Sequence, residues 1–127
     1  MSTPITLGEL QLAIMRVLWK EGSASVAQVH QALPANRSRA LTTIATMLSK
    51  MEKKGVVEHH SEGRQFIYRP TVSEDEVKRS MVAELTHRLF DGDYHALVTH
   101  LIDEREIEPA ELERLKAMID QRERKGE

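Results

Sequence analysis

The sequence predicts a mainly α-helical protein in two parts, and three observations carry this prediction. Apolar residues recur at steps of three and four along six segments, which is the spacing of one helical face. Between the third and fourth segments the pattern changes to two strand-like runs around a glycine. Residues 1–70 carry nine Lys/Arg and five Asp/Glu, whereas residues 71–127 carry nine and fifteen. A basic front part and an acidic back part indicate different partners, and we predict domains at 1–71 and 72–127.

Two helices are predicted before residue 36. Residues 6–9 (TLGE) form a capping-box pattern that opens the first helix, which ends at residues 20–22. Residues 25–28 (SVAQ) form another capping box, and the helix that they open stops near Pro34. We expect Trp19 to pack near the end of the first helix, with its indole N–H on a nearby carbonyl.

A third helix is predicted to begin after Ser38 as N-cap and to end before Gly55 in a left-handed C′ position. One face is apolar, and the opposite face carries hydroxyl groups and positive charges. Threonine is a mediocre helix former because its branched Cβ restricts χ1. Its hydroxyl can, however, contact a phosphate or a base edge, and its methyl group can pack on thymine. The alternative is a solvated face with incidental threonines. The apolar residues are Leu41, Ile44, Leu48 and Met51; the outer residues are Thr42, Thr43, Thr46, Ser49, Lys50 and Lys53.

A β-hairpin is predicted directly after this helix. The strand-like runs are residues 56–60 and 65–69, the loop between them contains Gly63, and Pro70 ends the second run. Two helices joined by a short turn and followed by a hairpin are typical of a winged helix-turn-helix domain, a DNA-binding architecture. Arg64 would lie at the tip of the wing. The predicted DNA-binding residues are Arg37, Arg39, Thr42, Thr43, Thr46, Lys50, Lys53 and Arg64.

Three further amphipathic helices are predicted in the acidic part. Ser73 and Asp93 are candidate N-caps, and Pro109 stands at the first position of the last helix. Helices this short and poor in aromatic residues bury little alone, so we expect a second copy of the chain to cover their apolar stripes. The alternative is that they fold back within a monomer. The predicted dimerisation residues are Val77, Met81, Leu85, Leu89, Leu97, Leu101, Leu112, Leu115, Met118 and Ile119.

Composition and spacing argue against several other classes of protein. The absence of cysteine excludes disulfides and thiolate metal sites, which fits a reducing cytosol. The N-terminus lacks the pattern of a signal peptide, and no apolar run has the length of a membrane span, so we expect a cytoplasmic protein without membrane insertion. His59 and His60 are adjacent in a strand and point to opposite faces, which argues against a shared metal ion. With no nucleophile–base pair, metal-ligand cluster or phosphate loop, neither an enzyme nor a cofactor is expected.

Several of these residues together resemble the BlaI/MecI family of penicillinase repressors. The shared patterns are LxxxIMxVLW at 10–19, ALTTIATxL at 40–48, Lys54-Gly55, and GRxxxYxP at 63–70. The resemblance implies a dimeric winged-helix repressor on double-stranded operator DNA with dyad symmetry. It also implies that the three outer threonines contact bases or adjacent phosphates, while Lys50 and Arg64 hold the backbone.

The resemblance further implies an inducing signal, such as an antibiotic or another stress, that acts through a membrane sensor-protease pathway. Antibiotic-responsive relatives are cleaved at an Asn-Phe bond in the C-terminal helices. The matching position in this chain is His100-Leu101. Copper-responsive relatives end in a cysteine-rich metal motif, which this chain does not have.

These observations favour a sequence-specific, DNA-binding transcriptional repressor that acts as a homodimer on a palindromic operator. The alternative is a winged-helix protein-interaction module without sequence-specific DNA binding. Salt-dependent affinity for duplex DNA separates the two, because only the repressor displaces counterions from phosphates.

Overall fold

A computed structural model describes residues 5–35 and 39–126 of the chain. These residues form six α-helices and three β-strands, in the order that the sequence predicted apart from one additional short strand. The chain divides into two compact units, Met1–Val82 and Ala83–Glu127. In the described residues, no helix is both long and apolar enough to cross a membrane. The elements are α1 (Glu9–Glu21), β1 (Ala24–Ser25), α2 (Val26–Ala32), α3 (Leu41–Lys54), β2 (Val57–Glu62), β3 (Gln65–Pro70), α4 (Glu74–Phe90), α5 (Tyr94–Asp103) and α6 (Pro109–Arg124).

The first unit has a continuous hydrophobic core in which α1, α2 and α3 pack with the sheet. Burial confirms the predicted apolar spacing in the first three helices: Ile14, Val17 and Leu18 of α1, Val29 of α2, and Ile44, Leu48 and Met51 of α3 are buried. Leu41 is an exception. It was predicted on the inner face of α3, but it is the first helical residue and its side chain is 49% exposed. The largest fully buried side chains are Ile14, Met15, Leu18, Val29, Ile44, Leu48, Met51, Val57, Val77 and Thr86, the last of which belongs to the second unit.

The wing is part of a three-stranded antiparallel sheet with the order β1-β3-β2. The pairing of Glu62 with Gln65 makes Gly63 and Arg64 a two-residue turn. Gly63 has a φ of 62° and Arg64 does not have a positive φ, which is the pattern of a type II′ turn with glycine in its first position. The predicted hairpin is thereby confirmed, although β2 ends two residues and β3 one residue further along the chain than expected.

The helix caps follow the sequence in three places and depart from it in two. Ser25, Ser73 and Asp93 each accept a hydrogen bond from the backbone N–H three residues on, at 3.1–3.2 Å, as predicted. The N-cap of α1 is Gly8, not Thr6, because the Gln11 side chain accepts the Gly8 N–H. The N-cap of α3 is Ala40, and Ser38, the predicted cap, lies outside the described residues.

The first turns of α4 pack with the winged-helix core. Val77 is 1% exposed within that core, and Met81 packs against it. The Ile5 N–H donates to Ser80 Oγ at 2.7 Å. Trp19 Nε1–H donates to the Val72 carbonyl at 2.9 Å, as expected for the indole. A fully buried side chain offers no surface to a second chain, so Val77 leaves the predicted dimerisation set.

The second unit keeps much of its apolar surface exposed. Neither α5 nor α6 has a fully buried residue. The connection between α4 and α5 turns at Asp91 and Gly92, both of which have positive φ, and the Gly92 N–H donates to the Thr86 carbonyl at 3.0 Å. The large exposed apolar side chains of this unit are Leu85, Leu89, Tyr94, Val98, Ile102, Leu115, Met118 and Ile119.

Candidate nucleic-acid interface

The buried residues of α3 determine which of its side chains are exposed on the opposite face. Ile44, Leu48 and Met51 are completely buried, and burial at these three positions sets the rotation of the helix about its axis. The polar residues predicted to contact DNA consequently face away from the core. Thr42, Thr43, Thr46, Ser49, Lys50 and Lys53 are all exposed, as the sequence predicted.

The segment that enters α3 is tied to α2. His30 Nε2 lies 2.7 Å from the Arg39 carbonyl oxygen, and because a carbonyl can only accept, the imidazole is the donor. This bond holds Arg39, itself exposed, close to the start of α3. Arg37, the other arginine predicted at this entry, lies outside the described residues.

Cations in this region divide into two groups. Lys54 Nζ donates to the Thr6 carbonyl at 2.8 Å and to Gln11 Oε1 at 2.9 Å. Lys54 therefore joins α3 to α1 and to the segment before α1, and its charge is not presented on the outer face. Arg69 Nε donates to Glu58 Oε1 at 2.6 Å across the hairpin. In contrast, Lys50, Lys53 and Arg64 have no ion-pair partner among residues 5–35 and 39–126. Three exposed cations are therefore available to an anionic partner.

The wing is braced against α3 by a contact that the sequence analysis missed. His59 Nδ1 donates to Glu52 Oε1 at 2.6 Å, and the His59 ring stacks on Phe66 with centroids 4.1 Å apart. The Tyr68 ring lies on the same face of the sheet, with its centroid 5.3 Å from that of the His59 ring. Burial, followed by the nearby Glu52 carboxylate, raises the pKa of Tyr68 above its usual value. Alternation along the two strands places His59, Phe66 and Tyr68 on one face of the sheet. This two-residue periodicity is the sequence signal from which the contact could have been predicted.

The histidine pair behaves as its strand position predicted. His59 is half-buried toward Glu52, whereas His60 is exposed and pairs with Glu62 at 2.8 Å. No group of three His, Cys, Asp or Glu side chains suited to a metal ion occurs in the part of the chain that the structure describes.

Residues predicted for dimerisation differ in how accessible they are. Met81 is half-buried on the winged-helix core, and Leu97, Leu101 and Leu112 are half-buried in the second unit. Five others are exposed, by 39–69%: Leu85, Leu89, Leu115, Met118 and Ile119. The predicted cleavage position, His100-Leu101, lies near the end of α5, where His100 is exposed.

Comparison with known proteins places this arrangement among transcriptional repressors. The family model for the penicillinase repressor matches residues 7–121. A penicillinase repressor of Bacillus licheniformis is 26% identical over 115 residues, which cover 91% of this chain and 90% of that protein. The transcriptional regulator BlaI of Mycobacterium tuberculosis is 32% identical over 99 residues, which cover 76% of this chain and 72% of that protein.

One solved structure supports the same assignment for the first unit. The solution structure of the DNA-binding domain of the repressor BlaI aligns with a TM-score of 0.52 and 34% identity, covering 60% of this chain and 93% of that domain. With a match along most of its length, the chain belongs to the penicillinase repressor family.

Proposed function

We propose that this protein is a homodimeric transcriptional repressor that binds a palindromic DNA operator in a sequence-specific manner. One observation carries the proposal: α3 presents an exposed row of hydroxyl groups and cations beside a wing that has an exposed arginine at its turn, and these cations have no ion-pair partner in the described residues. Membership of a family of repressors supports the same conclusion.

The outer residues of α3 divide into two roles. The N-terminal residues of a recognition helix reach base edges in the major groove, so Thr42, Thr43 and Thr46 contact bases or the adjacent phosphates. Lys50 and Lys53 lie one to three turns further along the helix, where side chains meet the backbone. Arg64 holds a phosphate from the wing. These backbone contacts position the helix, and the threonines supply the sequence preference.

A second copy of the chain covers the exposed apolar side chains of the second unit. Leu85 and Leu89 are separated by one helical turn on α4 and are 44% and 69% exposed. Symmetric pairing of such faces gives a closed dimer. Two recognition helices held about 34 Å apart can then enter successive major grooves of one operator.

Release of the operator follows proteolysis in the dimerisation unit. We place the cut at His100-Leu101, downstream of a membrane sensor-protease pathway that responds to an antibiotic or another stress. None of the residues of α5 is fully buried, and a helix with few buried contacts opens at low free-energy cost. A cut at this position separates α6 from the rest of the chain and removes part of the dimer surface.

Selection from a pool of random-sequence duplexes by the purified protein tests the proposal. We expect the recovered DNA to share an inverted repeat, and the free protein to sediment with the mass of two chains. Leu85→Asp is expected to sediment as a monomer and to lose tight binding, because a charge in an apolar interface is left unpaired. His87→Asp, an exposed position on the same helix, is the control and should remain dimeric.

Two results would contradict the proposal. Recovered duplexes without a common sequence would exclude operator recognition. Weak binding of DNA with no dependence on salt would favour a protein-interaction module, since phosphate contacts always release counterions.

A further inference from the structure

Two large apolar side chains stand out on the surface of the winged-helix region. In the described residues that precede α4, Leu41 and Phe66 are the exposed large hydrophobic side chains, at 49% and 48%. Leu41 is the first residue of α3 and Phe66 is the second residue of β3. Single exposed apolar residues are common on protein surfaces, whereas a group of them points to a binding site.

Leu41 and Phe66 line the same open groove, which has a volume of about 440 Å³. Val26 and Ala27, at the start of α2, line it as well. Stacking on His59, which is itself held by Glu52, keeps the Phe66 ring against the sheet. The groove therefore has a fixed apolar wall and does not depend on one mobile side chain. Ser25, Arg64 and Gln65 complete the lining.

Charge around the groove indicates what occupies it. Arg64 lines the groove, and the exposed Arg39 lies two residues before Leu41 in the chain. Arginine suits a polyanion but is also common at protein–protein interfaces, so the position of the groove decides between the two. Thr42, on the proposed DNA-binding face, directly follows Leu41. The partner that fits is the operator DNA itself.

DNA offers one apolar group in its major groove, the C5-methyl of thymine. We propose that Leu41, backed by Phe66, receives the methyl group of an operator thymine and so specifies that base. Leu41 is then a specificity-determining residue of a chemical kind different from the threonines, because it makes no hydrogen bond. This inference rests on the proposed repressor function and deepens it.

Deoxyuridine provides a direct test, since it differs from thymidine only by the missing C5-methyl group of its base. A duplex selected by the purified protein is the probe, and each thymine is replaced by deoxyuridine one at a time. At one thymine in a half-site we expect about a fourfold loss of affinity, the effect of one buried methyl group. Leu41→Ala should bind the unmodified duplex more weakly and show no further loss at that position. Leu41→Met, which conserves apolar volume, should retain the methyl dependence.

The outcomes separate this inference from the proposed function. If the protein selects no common sequence, the repressor function itself fails. If it selects a sequence but Leu41→Ala keeps the full methyl dependence at every thymine, only the role of Leu41 is overturned. The same conclusion follows if Leu41→Ala changes the sedimenting mass without DNA, because the groove would then be a contact between protein chains. Phe66→Ala is expected to reduce the methyl dependence, since it removes the rear wall of the groove.

Discussion

At the scale of single residues, the surface of α3 carries side chains that do not serve its stability. Thr42, Thr43 and Thr46 are exposed, so packing offers no compensation for their restricted χ1 angles. Helical surfaces under no other constraint favour Ala, Glu, Lys, Gln or Arg. We interpret the three threonines beside exposed cations as an adaptation to DNA binding.

Thr43→Ala and Thr46→Ala are each expected to weaken operator binding by about 1–3 kcal/mol, because a base contact is lost. Affinity for a random duplex should remain unchanged. Fluorescence anisotropy with both duplexes measures the difference. The matched control is Thr99→Ala, an exposed helical threonine of the second unit, which should bind as the unaltered protein does. Equal losses on both duplexes would leave the threonines with phosphate contacts alone.

Arg64 and Arg69 form a natural pair for a salt-dependence experiment, since both belong to the wing and only Arg69 pairs with an acidic side chain in the described structure. Arg64→Ala should lower the magnitude of the slope of log Kobs against log salt concentration by at most about one unit. Lys50→Ala should act similarly. Arg69→Ala should leave the slope nearly unchanged, because its charge is already balanced by Glu58. A slope unaltered in both Arg64→Ala and Lys50→Ala would argue against the proposed docking.

At the scale of elements, the hairpin depends on contacts outside its own turn. An isolated two-stranded hairpin is marginally stable in water. Here β3 lies between β1 and β2, and β2 is joined to α3 through His59 and Glu52. The wing and the recognition helix therefore form one mechanical unit, with Arg64 at its end.

His59→Ala is expected to lower the free energy of unfolding by about 1–2 kcal/mol, as both a hydrogen bond and a ring contact are lost. Operator affinity should also fall, since the wing is less firmly held. His60→Ala is the matched control: its ring is exposed and pairs only with the exposed Glu62, so its effect should be within about 0.5 kcal/mol. Urea denaturation measures the first effect and anisotropy the second. Equal destabilisation by the two variants would refute the brace.

At the scale of the whole molecule, the chain is organised as two units that share one helix. The start of α4 contributes Val77 to the first core, and the division between the units falls after Val82. We propose residues 1–82 as the folding unit that binds a half-site. In this proposal, residues 83–127 supply the surface that pairs two copies.

A fragment of residues 1–82 is expected to fold and to sediment as a monomer with reduced operator affinity, since only one half-site is engaged. A fragment of residues 1–70 lacks Val77 and should be less stable than the longer fragment by at least about 2 kcal/mol, the value of one buried valine. Circular dichroism with urea and sedimentation compare the two. Equal stability of the fragments would show that α4 contributes nothing to the core, and full operator affinity in the longer one would assign the second unit another role.

The sequence by itself determined the helices and the hairpin of this protein and the exposed face of its recognition helix. Helical periodicity, the caps at Ser25, Ser73 and Asp93, and the glycine turn of the wing depend on residues a few positions apart. Because these effects are local, they are visible in a single chain. Burial of Ile44, Leu48 and Met51 followed from their spacing, and the outward threonines followed from that burial.

Tertiary structure decided which surfaces meet. The two-residue strand β1 has no pattern of its own and exists through its pairing with Tyr68 and Ile67 of β3. Val77 resembles its neighbours on the α4 stripe, yet it is buried because the helix begins against the winged-helix core. The spacing of Leu41 matches the inner stripe of α3, but Leu41 lies one turn before the buried Ile44, and its side chain lines a surface groove. Such outcomes depend on contacts between residues distant in sequence, which local periodicity does not encode.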